Sequence, residues 1–292
     1  MRLSTVILPL ERWPQSREKW RRAQELGFYA AYTYDHLSWL RLQDRPWFAA
    51  IPTLTGAALE TSTIRLGTLV TSPNFRHPVP LAKDLLSLDD MSGGRLSVGV
   101  GAGGTGNDAT VLGNEAWDAT ERMDRFVDFV DLLDVLLREP VTTRPGDFYS
   151  ASEARMLPGT LQRPRPPFYL AAAGRRGLDV VVRHGEAWVS IGRSARSDES
   201  CYDAVTSQLR RLSEALEAAD RESASLQRVL LDGLTDEQPL VSLDAFVDWA
   251  GRYQALGITE LVIHWPEPDS IFDVDLATFE RIATEGLNQL AG

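Results

Sequence analysis

The chain contains four histidines, and three of them, His36, His77 and His264, close or follow short apolar runs. Imidazole changes charge near neutral pH, so it is the side chain best suited to proton transfer and to contact with a titrating ligand. His36 stands in Thr33-Tyr34-Asp35-His36-Leu37, His77 in Asn74-Phe75-Arg76-His77-Pro78, and His264 immediately before Trp265. A single loop histidine is commonly just a satisfied hydrogen-bonding group; three at equivalent places form a pattern. Asp35 has several readings: it pairs with an arginine, caps the next segment, orients the His36 ring or contacts a ligand. Trp39 and Trp47 follow in the same loop, where indoles either stack on an aromatic ligand or cover the end of the fold. His36 and Asp35 are the expected catalytic residues. Trp39, Trp47, His77, His264 and Trp265 are the expected substrate contacts.

A second cluster is glycine-rich. Gly101 to Asp108 reads GAGGTGND and spells G-x-G-x-x-G across Gly101, Gly103 and Gly106. A dinucleotide fingerprint belongs at the first strand-to-helix turn, with a helix opening at once and an acidic residue about 20 positions on. Here the next helical pattern waits until Thr120, and Glu121 lies inside it, so that reading fails on context. Glycine still implies positive φ or close backbone approach; the run is either a tight turn or a loop wrapped around a ligand. A third cluster, Ala171-Ala172-Ala173-Gly174-Arg175-Arg176-Gly177, leads from a strand pattern into a helix from about Leu178. Small residues, a helix N-terminus and two guanidinium groups suit an anion; the alternative is a pair of solvated arginines.

Other chemistries lack their groups. Pro9-Leu10-Glu11 offers no histidine where a barrel hydrolase would hold a metal, so none is expected. There is no G-x-S-x-G elbow and no phosphate-binding P-loop signature. Lys19 and Lys83, the only lysines, fall on helical patterns, which leaves no strand-end amine for a Schiff base. Reactivity is therefore expected from an organic cofactor.

The elements that position these residues alternate from end to end. Strand patterns occupy Leu3 to Leu8, Tyr29 to Tyr34, Ile64 to Thr71, Leu96 to Val100, Phe168 to Ala173, Ala187 to Ile191, Gln227 to Leu231 and Ile258 to His264. Between them run 3.6-period segments. Ser16 is placed to cap the first helix and Gly27 to stop it; Thr120, Ser242 and Asp275 open others, the last running inward through Leu287 and Leu290. Eight such units fit an α/β fold of the (β/α)8 TIM-barrel type, whose chemistry sits at the C-terminal strand ends. A doubly wound sheet remains open. The 292 residues read as a single barrel domain, interrupted before strand 5 by a proline-rich insertion over 139–167 that is too polar and broken to be core.

A net charge of -11 argues against nucleic acid or an anionic membrane surface and favours a small-molecule partner. The single cysteine, Cys201, excludes a disulfide framework. No cleavage site follows the apolar run near Leu10, and no segment approaches a membrane span, so a cytoplasmic protein is expected.

These motifs together resemble the bacterial luciferase-like superfamily of flavin and deazaflavin oxidoreductases. The matching pieces are Tyr34 to Leu37, Leu66 to Pro78, Leu88 to Leu96 running into Gly99 to Gly103, and Leu157-Pro158-Gly159 with Gln162-Arg163-Pro164. The resemblance implies coenzyme F420 or, alternatively, FMN with O2 as a monooxygenase; a barrel that binds cofactor without catalysis is a third possibility. Asp35, His36 and Asn107 match F420-enzyme positions, and Leu69–Val70 matches a non-prolyl cis peptide that buttresses the deazaflavin. Leu69, Val70, Thr71, Gly101 and Gly103, with Ala173, Gly174, Arg175, Arg176 and Gly177 for the phosphate, complete the implied cofactor set. The excess of arginine over lysine suggests a GC-rich origin and leans toward lineages that make F420. Two departures matter: Gly104 stands where the F420-dependent sugar-phosphate dehydrogenases have glutamate, and Gly174-Arg175 where many relatives have Gly-Pro. Their substrate is therefore not carried over. Many members are dimers, which leaves a homodimer as an option.

Overall fold

The computed structural model describes residues 1–39, 42–193, 199–233 and 237–289. In chain order its strands are β1 (Arg2–Val6), β2 (Ala30–Thr33), β3 (Arg65–Thr71), β4 (Leu96–Gly101), β5 (Val141–Arg144), β6 (Ala151–Arg155), β7 (Phe168–Ala171), β8 (Ala187–Ser190), β9 (Gln227–Leu231) and β10 (Glu260–His264). Its helices are α1 (Trp13–Glu25), α2 (Ala50–Glu60), α3 (Pro78–Met91), α4 (Ala119–Arg138), α5 (Arg175–His184), α6 (Cys201–Ala218), α7 (Leu243–Ala255), α8 (Leu276–Arg281) and α9 (Leu287–Gln289). All strands except β5 and β6 pair in parallel and close in the order β1-β2-β3-β4-β7-β8-β9-β10. Closure through β1 and β10, with Val6 opposite His264, removes the doubly wound alternative.

The strands are apolar on both faces because each face meets a different core. In β10, Val262 joins an inner cluster with Val6, Tyr32, Leu69, Tyr169, Val189 and Val229, while Leu261 and Ile263 join an outer one. That outer layer is completed by helix residues such as Leu54, Leu85, Phe129, Val181, Leu212 and Phe246. The period-2 alternation therefore decides, residue by residue, whether a side chain sees the barrel interior or the helices.

Three local expectations are corrected. Ser16 does not cap α1; the helix begins at Trp13 with Pro14 in its first turn, where a fixed φ and a missing N–H cost nothing. The 139–167 insertion is not wholly outside the core. It forms an antiparallel β5–β6 hairpin across Arg144 to Ala151, and its Tyr149, Ala151 and Met156 pack into the outer cluster. The last helix is broken by a π-turn over Ile282–Gly286, where Gly286 lies against the Phe246 ring; Leu290 lies outside the described residues. Ser242 and Asp275 do cap their helices, and Asp118, two residues before Thr120, caps α4. Among the described residues no helix is long and apolar enough to cross a membrane.

Candidate active site at the barrel mouth

The C-terminal end of β2 delivers Tyr34, Asp35 and His36 to the mouth, and each goes to a different partner. Asp35 is buried, accepting from the Thr71 hydroxyl at 2.6 Å and from Arg76 through Nη2 at 2.7 Å and Nε at 3.0 Å. It ties β2 to the end of β3 and does not orient His36, because its oxygens are spent on a bidentate guanidinium clasp. This is the arginine-pairing alternative for Asp35. The His36 ring is held instead by Asp108: Nδ1 hydrogen-bonds Oδ2, while Oδ1 accepts from the Leu37 amide at 2.8 Å. Facing a carboxylate, Nδ1 donates, which leaves Nε2 as the nitrogen with no partner among the described residues.

Asp108 sits in a short 3-10 turn, Asn107–Ala109, at the end of the glycine run. The glycines make that turn's approach possible. Gly103 has φ +75° and lies against the Asn74 carboxamide, and a Cβ on Gly101 would meet Val70 Cγ2 at 2.9 Å. Gly106 faces open space, and a Cβ on Gly104 would meet only the Gly106 amide nitrogen, at 3.9 Å. Asn107 reaches the loop after β2, donating to Ser38 Oγ and Gln43 Oε1, both at 3.0 Å. The loop therefore carries Asp108 across to His36, a pairing 72 residues apart in sequence. No local signal marks it, which is why Asp108 is absent from the expected set.

Tyr34 turns inward to His264. The His264 Nδ1 lies 2.7 Å from the Asp232 carbonyl, which can only accept, so Nδ1 carries the proton and Nε2 accepts from the Tyr34 hydroxyl at 2.8 Å. Burial holds the ring neutral, with its pKa pulled down to about 3. Phe272 stacks on it at 3.8 Å, and Trp39 stacks on Phe272 at 5.8 Å. Trp39 is accordingly buried floor rather than an exposed stacking surface. Trp47 stands edge-on to His36 at 6.3 Å, and its buried Nε1 has no partner among the described residues.

Two expected substrate contacts fall elsewhere. Trp265 follows inward-facing His264, so alternation turns it outward into the core, where it meets Phe279 of α8 edge-on at 5.1 Å. His77 caps α3, its Nδ1 accepting from the Val79 amide at 3.2 Å, and lies edge-on to Tyr149 of the insertion.

On the β7 side, Gly174 is the N-cap of α5, with open space where a Cβ would stand, and the first turn of that helix carries no acidic residue. Arg175, which pairs with no carboxylate among the described residues, stands beside the leading amides of α5, a kind of terminus that suits an anion. Arg176 is taken by Asp124. Gly177 is buried, a Cβ there meeting Ala172 Cβ at 2.8 Å, so it serves helix–strand packing. The Leu69–Val70 peptide bond is cis, as the resemblance implied. Nearby, Ser72 Oγ and Asn74 Oδ1 are buried without a hydrogen-bond partner among the described residues. No group of three metal-ligating side chains occurs among the described residues. Cys201, buried under Tyr253 and with its thiol pushed up to about 12 by burial, belongs to the scaffold.

A closed parallel barrel with its polar groups, open glycines and a helix N-terminus at the C-terminal strand ends is the architecture of (β/α)8 enzymes. The luciferase-like monooxygenase family model matches residues 3–232, and the chain belongs to that family. It is 32% identical over 177 residues to an F420-dependent glucose-6-phosphate dehydrogenase of Beutenbergia cavernae, covering 60% of this chain and 51% of that one. It is 30% identical over 203 residues to 4-hydroxyprotoasukamycin monooxygenase of Streptomyces nodosus subsp. asukaensis, covering 68% and 53%. The chain thus spans about half the length of these curated relatives. An F420-dependent secondary alcohol dehydrogenase, solved with an F420-acetone adduct, shares the fold with TM-score 0.79 at 18% identity over 97% of this chain and 98% of that one.

Proposed function

We propose that the protein is an F420-dependent oxidoreductase that transfers a hydride between the deazaflavin and a small organic substrate. The observation that carries this reading is the His36–Asp108 pair, which leaves one imidazole nitrogen unpartnered at the mouth. The F420-dependent relative supports the cofactor. The residues present fit an anionic, flat group: the α5 N-terminus with Arg175 suits its phosphate, open Gly106 and Gly174 leave it room, and Ser72 and Asn74 supply unsatisfied polar atoms. When bound, the deazaflavin supplies the ring carbon that gives or takes the hydride. His36 Nε2 takes the hydroxyl proton of a substrate being oxidised, or returns it in the reverse direction. Asp108 fixes the tautomer, and Asp35, with Thr71 and Arg76, positions the end of β3.

The monooxygenase relative favours a second reading, an FMN enzyme using O2. Equilibrium titration separates the two. F420 is expected to bind tighter than FMN by about tenfold or more, a difference of ~1.4 kcal/mol. Tight FMN binding with no measurable F420 binding would overturn the assignment. His36→Ala is expected to keep its cofactor and lose about 100-fold in turnover; unchanged turnover would remove His36 from the mechanism.

A further inference from the structure

The segment that follows β2 carries His36 and Trp47 and is fastened to three neighbouring loops. After β4, Asp108 holds the Leu37 amide and Asn107 holds Ser38 and Gln43. After β1, the Pro9 carbonyl accepts from the Phe48 amide at 2.8 Å. Between these attachments Arg45 reaches the loop after β10, donating to Glu267 Oε1 through Nη2 at 2.5 Å and to the Pro268 carbonyl through Nη1 at 3.1 Å.

Glu267 is a fixed anchor. It is buried, and its Oε2 accepts from Lys19 of α1 at 3.1 Å, while Lys19 also pairs with Glu11 at 3.1 Å. Two cations and two carboxylates thus form a neutral network, the condition under which a buried carboxylate is tolerated. The main chain of Glu267 is engaged as well. Its amide donates to the Phe272 carbonyl at 3.1 Å and its carbonyl accepts from the Ser270 hydroxyl at 2.8 Å, closing the turn that lays Phe272 on His264.

These contacts converge on His36. The Asp108 hydrogen bond at Nδ1 fixes the tautomer of the ring, but one hydrogen bond leaves its tilt to the groups packed beside it. Two aromatic neighbours do this, Tyr34 edge-on at 5.7 Å and Trp47 edge-on at 6.3 Å. Tyr34 is held by His264, which lies under the Phe272 that the Glu267 main chain positions. Trp47 lies two residues beyond Arg45, which the Glu267 side chain holds.

We propose that Glu267 is a positioning residue for the His36 ring, acting on it through Arg45 and Trp47. Tilt decides where Nε2 points, and a misplacement of about 1 Å at a reacting group costs up to about 100-fold in turnover. The use of that nitrogen as a base rests on the oxidoreductase reading; the placement of the ring does not.

The test follows the four histidine rings by proton NMR, with His36 assigned by its loss in His36→Ala, and measures turnover with F420 in parallel. Arg45→Met cuts the link at its partly exposed end and leaves Glu267 paired with Lys19, so the fold is kept; Glu267→Gln cuts it at the buried end. In both variants the His36 resonances are expected to move, while those of His77 and His184, packed against Tyr149 and Asp131, stay in place. Turnover is expected to fall by about 10- to 100-fold, with F420 affinity within about threefold of wild type. Arg45→Lys returns a cation to Glu267 and is expected to recover part of both losses. An unmoved His36 in Arg45→Met overturns the proposal. So does a shift of all four histidines together, which would make the Arg45–Glu267 pair a support of the whole fold, and so does a moved His36 with wild-type turnover. A wild-type protein that shows no turnover with F420, with the selective His36 shift intact, removes the oxidoreductase reading and supports the placement.

Discussion

At the scale of single residues, the site depends on which carboxylate holds which base. Asp35 neighbours His36 in the chain, yet its oxygens are held by Thr71 and Arg76, so a residue from another loop, Asp108, holds the ring. The three mouth-directed residues Asp35, His36 and His264 were legible as types at strand ends; Tyr34 and the partners were not, because hydrogen bonds between loops leave no spacing in one sequence. Asp108→Asn tests the assignment. Its carbonyl oxygen can still accept from the Leu37 amide, which turns the NH2 toward Nδ1, moves the ring proton to Nε2 and removes the base. The expected result is a fall in kcat of about 100-fold for substrate oxidation with cofactor affinity within about threefold of wild type. Equal losses in kcat and in cofactor binding would mark Asp108 as merely structural. Tyr34→Phe leaves the buried His264 Nε2 without its donor and is expected to cost ~1–3 kcal/mol in urea unfolding; an unchanged midpoint would show that another group satisfies it.

At the scale of elements, the glycine run and the insertion show how chemistry is borrowed from packing. Gly103 combines φ +75° with contact against Asn74, so Gly103→Ala is expected to cost ~1–3 kcal/mol and to loosen the turn that carries Asp108. A variant as stable as wild type would mean the loop rebuilds without that turn. The dinucleotide spelling was readable, and its position after the fourth barrel strand was enough to set aside the dinucleotide fold. That its glycines make room for Val70 and Asn74 was not readable, because those neighbours come from another strand. The insertion looked too polar for core for a similar reason: its prolines dominate the pattern, while its anchor is Arg165, a charged residue. Arg165 is buried, 2.6 Å from Asp134 and 2.8 Å from Glu186, donates to the His184 carbonyl and lies over the Phe168 ring. Arg165→Met keeps the apolar stem and strands these acceptors, with an expected loss of ~3–5 kcal/mol; a loss under about 1 kcal/mol would show that Arg138 and solvent replace it.

At the scale of the whole molecule, strand and helix periodicity specified eight parallel strands covered on both faces, a pattern that a barrel and a doubly wound sheet share, and the closing β1–β10 pair decides between them. The inner-facing polar residues escaped that logic. Glu260 sits in the inner layer of β10, where Oε1 accepts from Ser4 at 2.7 Å and from Tyr32 at 3.0 Å while Oε2 has no partner among the described residues. Burial raises its pKa above the ordinary 4.5, the two hydrogen bonds opposing this only in part. The sign of its effect follows. Below about pH 4.5 the carboxyl is protonated in both the folded and unfolded chain, and its contribution is fully present. As pH rises, the unfolded chain ionises first, so stability is lost until the folded pKa is passed, at ~1.4 kcal/mol per unit of separation. Glu260→Gln removes the titration and keeps the oxygen that Ser4 and Tyr32 use. Its stability relative to wild type is expected to increase from about pH 5 to about pH 8 when both are unfolded in urea at each pH. His184, whose pKa is also raised despite burial by hydrogen bonds to Asp131 and Asp134, weakens the fold in the same direction above its ordinary 6.5. It is common to both proteins and cancels in the difference. A stability difference that stays constant across this range would mean that Glu260 is ionised inside the barrel and held there by the Arg2 and Arg65 charges that oppose its burial.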